Sequence, residues 1–168
     1  MYRDLGGRAE APSLRPGTWD LVFGGGLVIE LDEELHFNRY RGLSLSVDWT
    51  KGLPWATDYL NYCAEYEDTC LADGRWGKRW TNPSCEKLFG PAGTPGSFSA
   101  GGAPRWKQRA LYDAIKDAFA LAGMGVRLAR LAVYDRCDGI ALGAILAGSE
   151  RVDPDALASL VKERTTSE

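Results

Sequence analysis

The stretch Thr18-Trp19-Asp20-Leu21-Val22-Phe23-Gly24-Gly25-Gly26-Leu27-Val28-Ile29-Glu30-Leu31-Asp32 decides how the chain is read. Thr18 to Phe23 is a short strand pattern, Gly24 to Gly26 a turn, and Leu27 to Asp32 a second strand of high β propensity. Together they predict a β-hairpin. With a three-residue loop centred on Gly25, Phe23 faces Leu27 and Asp20 falls opposite Glu30. Directly opposed residues project to one face with Cβ atoms about 4.5–5.5 Å apart, and strand alternation adds Asp32 to that face. Leu27, Ile29 and Leu31 then take the other face, apolar and ready for a core. Three crowded carboxylates resist joint ionisation. A divalent cation removes the conflict, and hard oxygen donors suit Mg²⁺, or Mn²⁺ in its place. His36, the only histidine, follows just past the strand as a metal neighbour or a general base. The plainer reading is a solvated acidic edge, continued by Glu33 and Glu34, beside a structural histidine.

Outward from the hairpin, residues 1–17 read as an irregular lead-in rich in Gly, Arg and Pro. Leu43 to Trp49 reads as extended. Trp55 to Leu71 has apolar residues near helical spacing. Residues 73–104, broken by Gly and Pro, read as a long irregular insertion, the kind of loop that is functional or disordered. The clearest helix is Arg105 to Ala122, with Leu111, Ala114, Ile115, Ala118 and Phe119 in one stripe and Gly123 and Gly125 stopping it. Val126 to Tyr134 reads as a strand and 139–147 as a further short element. Asp153 and Pro154 open a last helix as cap and first-turn residue. One domain over 1–168 is the expectation.

The bulk numbers narrow the class. A hydrophobic content of 45% over 168 residues suits a folded globular chain. An apolar run long enough to span a membrane is lacking, as is a secretory leader pattern, so a cytoplasmic location is expected. The net charge of −3 does not advertise nucleic-acid binding. Residues 75–109 nevertheless gather seven basic residues against Glu86 alone, and a local basic patch can bind phosphate on an acidic protein. The four cysteines form no CxxC pair, which points to reduced, buried thiols.

Val28-Ile29-Glu30-Leu31-Asp32 followed by His36 resembles the E-x-D-x-x-x-H core of the very-short-patch-repair-like endonucleases. These belong to the PD-(D/E)XK, or restriction-endonuclease-like, superfamily. Asp20 in Trp19-Asp20-Leu21-Val22-Phe23 matches the aspartate that this group carries on the preceding strand. The resemblance implies an α/β fold, with a mixed β-sheet core flanked by helices and a helix–strand pair downstream, which 105–134 would supply. Gln108 and Tyr112, four apart, are similar to the Q-x-x-x-Y helix motif of RecB-type nucleases. The usual E-x-K lysine is replaced by Asp32, the usual following Gly is Glu33, and 49–104 has no counterpart.

The resemblance implies a metal-dependent endonuclease acting on nucleic acid, with DNA as the expected substrate. Asp20, Glu30 and Asp32 would hold the metal, and His36 or a carboxylate would take the proton from water. Lys107, Arg109 or Arg39 could stabilise charge on the phosphate, and Gln108 joins the catalytic set through its likeness to the Q-x-x-x-Y motif. The run His36-Phe37-Asn38-Arg39-Tyr40-Arg41 mixes basic and aromatic residues suited to phosphates and stacked bases. Asn38, Arg39, Arg41, Arg105, Lys107, Arg109 and Tyr112 are therefore the expected nucleic-acid contacts. A protein partner supplying specificity would fit an acidic chain without a DNA-reading module. Two alternatives are a catalytically silent nuclease fold used for binding, and an assembly protein with aromatic-rich 49–104 as its interface.

Overall fold

A computed structural model describes residues 1–167. The hairpin is present in the expected register. β1 (Leu21–Val22) runs antiparallel to β2 (Leu27–Asp32), pairing Leu21 with Ile29 and Val22 with Val28. The Phe23 amide donates to Leu27 O at 2.8 Å. The turn at Gly24–Gly26 needs glycine: Gly25 and Gly26 have φ of 68° and 76°, and a Cβ on Gly26 would strike the Gly125 carbonyl.

β3 (Arg127–Ala132) lies on the other side of β2, parallel to it, with Glu30 beside Arg130 and Asp32 beside Ala132. The result is a mixed three-stranded sheet, ordered β1-β2-β3, flanked by helices. The β2–β3 crossover carries α1 (Arg39–Leu45), α2 (Ala56–Glu65), α3 (Glu67–Gly74), α4 (Pro83–Phe89) and α5 (Pro104–Leu121). After β3 come a two-stranded ribbon of β4 (Arg136–Cys137) and β5 (Ile140–Ala141), then α6 (Leu142–Leu146) and α7 (Pro154–Glu163). Asp153 caps α7 by accepting from the Asp155 amide at 2.9 Å, as the Asp-Pro pair predicts.

The alternation of β2 separates two layers. Ile29, with Leu31 beside it, packs with Ala129, Leu131, Leu142 and Leu160 under α6 and α7. Val28 and Leu128 join Phe37, Trp55, Tyr59 and Ala120 in a second core on the α2 and α5 side. Glu30 and Asp32 point to this second side, where the α5 residues Lys116, Asp113 and Asp117 meet them and Arg130.

Three expectations are corrected. The Leu43–Trp49 segment is not extended: α1 covers its start, capped by Asn38, whose side chain accepts from the Tyr40 amide at 3.1 Å, and a 3-10 turn at Asp48–Gly52 covers its end. The helix expected over 55–71 is two, α2 and α3, with a break at Tyr66. The insertion at 73–104 is not wholly irregular. It contains α4, with Asn82 as cap and Pro83 in the first turn, and it buries Trp80 edge-on against Trp106 at 5.2 Å. All four cysteines are free and buried, as expected. Among the described residues no helix is long and apolar enough to cross a membrane.

Candidate functional site

Asp32 reaches the face predicted for it but is not a vacant ligand. It is 1% exposed, and Arg130 Nη1 donates to both its oxygens at 2.9 and 2.8 Å. Tyr59 OH donates to it at 2.9 Å, and His36 Nδ1 lies 3.1 Å away. Arg130 also reaches Asp117 at 2.6 Å through Nε and Asp113 at 3.3 Å through Nη2. Arg41 Nη2 lies 2.9 Å from Asp117, and His36 Nδ1 lies 3.0 Å from Asp113. Burial opposes the charge on Asp32, but Arg130 and His36 outweigh it and hold the carboxyl below its ordinary range. Asp113 is driven the same way, with His36 and Arg130 overcoming its burial. Burial also disfavours the Arg130 cation, yet Asp117, Asp32 and Asp113 keep it firmly charged.

This knot fixes His36. Ionised carboxylates only accept hydrogen bonds, so their position at Nδ1 places the ring proton there. In the neutral ring Nε2 then carries the lone pair, and it has no protein partner among the described residues. Asp32, His36 and Asp113 are also the one set of three metal-capable groups found with ligand atoms within 4.8 Å of one another among the described residues. With Arg130 already balancing the two carboxylates, a cation there would have to displace a buried guanidinium.

Beside the knot lies a groove of about 460 Å³, lined by Asp20, Glu30 and His36 from the hairpin side and by Arg105, Arg109, Tyr112, Asp113 and Lys116 from α5. Asp20 and Glu30 meet across the β1–β2 ladder. The Asp20 amide donates to Glu30 Oε1 at 3.3 Å, and Asp20 Oδ2 accepts from the Leu31 amide at 2.9 Å. Lys116 donates to both Glu30 oxygens at 2.7 and 2.8 Å and to the Thr18 carbonyl at 2.8 Å. Burial raises the Glu30 carboxyl above its usual value; the Lys116 bond and Arg130 offset this only in part.

Asp20, Glu30, His36, Arg105, Arg109 and Tyr112 thus gather at one groove as the sequence suggests. Other expected residues do not. Arg41 is 1% exposed and paired with Asp117 inside the protein, so it cannot touch nucleic acid. Asn38 is buried as the cap of α1. Arg39 is spent on Glu67 at 2.7 Å and on the Phe98 ring at 3.7 Å, away from the groove. Lys107 points the other way, toward the Tyr40 ring at 5.4 Å. Gln108 is buried; it accepts from Arg105 at 2.6 Å and lies 3.4 Å from the Tyr112 hydroxyl, so it supports the groove wall from behind.

Sequence reasoning missed Lys116, Asp113, Asp117 and Arg130. A signal existed for the first: Arg105, Arg109, Tyr112 and Lys116 are spaced four, three and four apart, one helix face, whereas Lys107 is about 200° round the helix from both arginines. Asp113 and Asp117 were visible as acids one turn apart beside the apolar stripe. A family model described as a family of unknown function (DUF7255) matches residues 1–148. No curated protein and no solved structure matches the chain.

Proposed function

We propose, for a chain that belongs to the DUF7255 family, that it is a metal-dependent hydrolase of phosphodiester bonds, with a nuclease site of the PD-(D/E)XK kind, DNA as substrate and the cytoplasm as its location. The single observation that carries the reading is the meeting of Asp20, Glu30, His36 and Lys116 at one groove whose far wall presents two arginines. Carboxylates and cations on opposite sides of one cleft suit a phosphate and its counter-ion.

A hard divalent cation needs oxygen donors that reach the groove. Asp20 accepts the Leu31 amide through Oδ2 and has no hydrogen bond at Oδ1 among the described residues, and Glu30 is a mostly buried carboxylate whose charge is incompletely compensated. Two such oxygen donors fit Mg²⁺ or Mn²⁺, which take one or two carboxylates and complete their shell with water and phosphate. Asp32 does not fit, because Arg130 occupies both its oxygens. Glu30 is also bonded at both oxygens, by Lys116, but that ammonium lines the groove whereas Arg130 is fully enclosed, so the site is Asp20 together with Glu30 once Lys116 is displaced. When bound, such an ion polarises the phosphate and lowers the pKa of water.

The protein's own groups supply the rest. His36 Nε2 accepts the proton of the attacking water, while Asp113 and Asp32 hold the ring in the tautomer that allows it. Lys116, in place of Lys107, would neutralise charge on the phosphate once released from Glu30; at rest its three N–H groups go to both Glu30 oxygens and the Thr18 carbonyl. A protein partner would supply the specificity that this groove alone does not encode.

A cleavage assay on plasmid and oligonucleotide substrates with Mg²⁺ or Mn²⁺ tests the reading. Wild type should cut, and Glu30→Ala or Asp20→Ala should lose at least about a hundredfold in rate, as removal of a charge-stabilising group does. The second reading, a silent nuclease fold that only binds, is favoured by one observation: both Asp32 and Glu30 already have cationic partners. Salt-dependent DNA binding without any cleavage would decide for it.

A further inference from the structure

The interior cations are matched almost throughout. Arg130 has three carboxylates, Arg41 has Asp117, Arg164 has Asp135 and Asp58, and Lys116 has Glu30. Arg105 and Arg109 break the pattern. They stand one turn apart on α5, about 6 Å along its axis, and both line the groove. Arg109 Nη1 donates to the Leu35 carbonyl at 2.9 Å, and Arg105 Nη1 donates to Gln108 Oε1 at 2.6 Å. Gln108 is itself held by the Ser84 hydroxyl at 3.2 Å. Each guanidinium is thus anchored by a neutral oxygen, and neither has an ion pair among the described residues.

Two neighbouring cations, partly out of water and without a counter-ion, repel each other. Burial lowers Arg109 below its ordinary value and Arg105 adds to the effect; Asp113 and Glu33 compensate only in part. An anion in the groove relieves both costs. Planar guanidinium forks fit tetrahedral oxyanions, and Arg is the side chain that recognises phosphate by paired hydrogen bonds. Anchors that use one nitrogen each leave donors for such a ligand, since a guanidinium has five N–H groups.

We infer that Arg105 and Arg109 form a phosphate-binding subsite that grips a second phosphate of the substrate, next along the groove from the one cut at Asp20 and Glu30. The subsite deepens the nuclease reading and rests on it for the word substrate. Its phosphate is either an internal diester of the strand or a terminal monophosphate.

Binding without cleavage separates the two claims. Labelled single-stranded oligonucleotides, with or without a terminal phosphate, are titrated in EDTA by fluorescence anisotropy across a salt series. Arg105→Gln with Arg109→Gln should weaken binding about tenfold, the scale of a lost charge-assisted contact. The slope of log affinity against log salt should fall by about 0.7, the value for one phosphate contact on a single strand. Arg105→Lys with Arg109→Lys keeps the charge and should restore the slope, which guards against a mere folding defect. A loss with both oligonucleotides assigns an internal phosphate, and a loss confined to the phosphorylated one assigns a terminal phosphate. Unchanged affinity and slope in the double glutamine variant, or wild type that binds no oligonucleotide, overturns the subsite. If the slope responds but wild type cuts nothing in Mg²⁺, the subsite stands and the nuclease reading falls.

Discussion

The two faces of β2 are built from one strand and obey different rules. Leu27, Ile29 and Leu31 face an apolar layer contributed by α6 and α7, with a cleft of about 660 Å³ between them. Glu30 and Asp32, one residue out of step, face α5 and a buried lattice of charge. The apolar side rests on contact area, which is non-directional and forgiving of shape. The charged side rests on paired groups, where losing one member strands the others. A site that must hold carboxylates and cations in fixed positions belongs on the second kind of face, because each side chain there is oriented by several partners.

The largest effect expected from breaking this contrast is at Arg130. Arg130→Ala leaves Asp32, Asp113 and Asp117 buried with Arg41 as the remaining arginine and the His36 ring N–H as a donor near them. Removing one partner of a buried pair costs about 3–5 kcal/mol, and this arginine serves three. A net stability of about 5–15 kcal/mol is typical for a domain, so urea titration should show a severely weakened transition or none. On the other face, Leu131→Ala truncates a 4%-exposed side chain. It should cost about 2–5 kcal/mol while keeping a cooperative transition. Equal losses from the two variants would erase the distinction between the faces.

The hairpin was legible because its signals are local. Three glycines fixed the turn, alternation fixed the faces, and the register of Asp20 against Glu30 followed. The helix at 105–121 and the Asp153 cap were legible for the same reason. The charge lattice was not. Asp32 and Arg130 are 98 residues apart in the chain, and an arginine inside the strand Arg127–Ala132 carries no mark of its partner. Arg41 and Asn38 look like phosphate contacts in sequence because a buried, paired arginine and a helix cap have the same letters as exposed ones. Only the crossover that lays α5 over the sheet tells them apart.

Acid should discriminate within the charged face. Asp113 and Asp32 have folded values below the ordinary carboxylate value of about 3.9. Their contribution is therefore present above that value and is lost as pH falls toward the lower folded one. Glu30 and Asp135 are shifted the other way, both by burial, so their protonation, which comes first as acid is added, relieves the fold slightly. Melting temperature should hold or rise a little on mild acidification and drop steeply below about pH 4. Asp113→Asn should flatten that drop. An acid limb as steep as that of wild type would mean the lattice is not what titrates.

The smallest effect separates the rim of the charged face from its interior. Lys116 and Glu30 make a pair at the groove edge, with side chains 11% and 6% exposed. Lys116 also rests over the Trp19 ring at 5.2 Å, so its stem packs as well as its charge. Lys116→Met keeps most of that packing and removes one cation whose buried partner, its pKa already raised by burial, can take a proton instead. The cost should be about 1 kcal/mol, above an exposed pair and well below Arg130. The same change frees both Glu30 oxygens beside Asp20. If those carboxylates hold a divalent ion, Lys116 competes with it, and the variant should bind Mn²⁺ more tightly than wild type by calorimetry or thermal shift. Arg130→Lys, probed in the same way, should lose stability without gaining ion affinity, because Asp32 stays enclosed. Weaker Mn²⁺ binding in Lys116→Met would place the ion elsewhere and reduce Glu30 to a structural partner of its lysine.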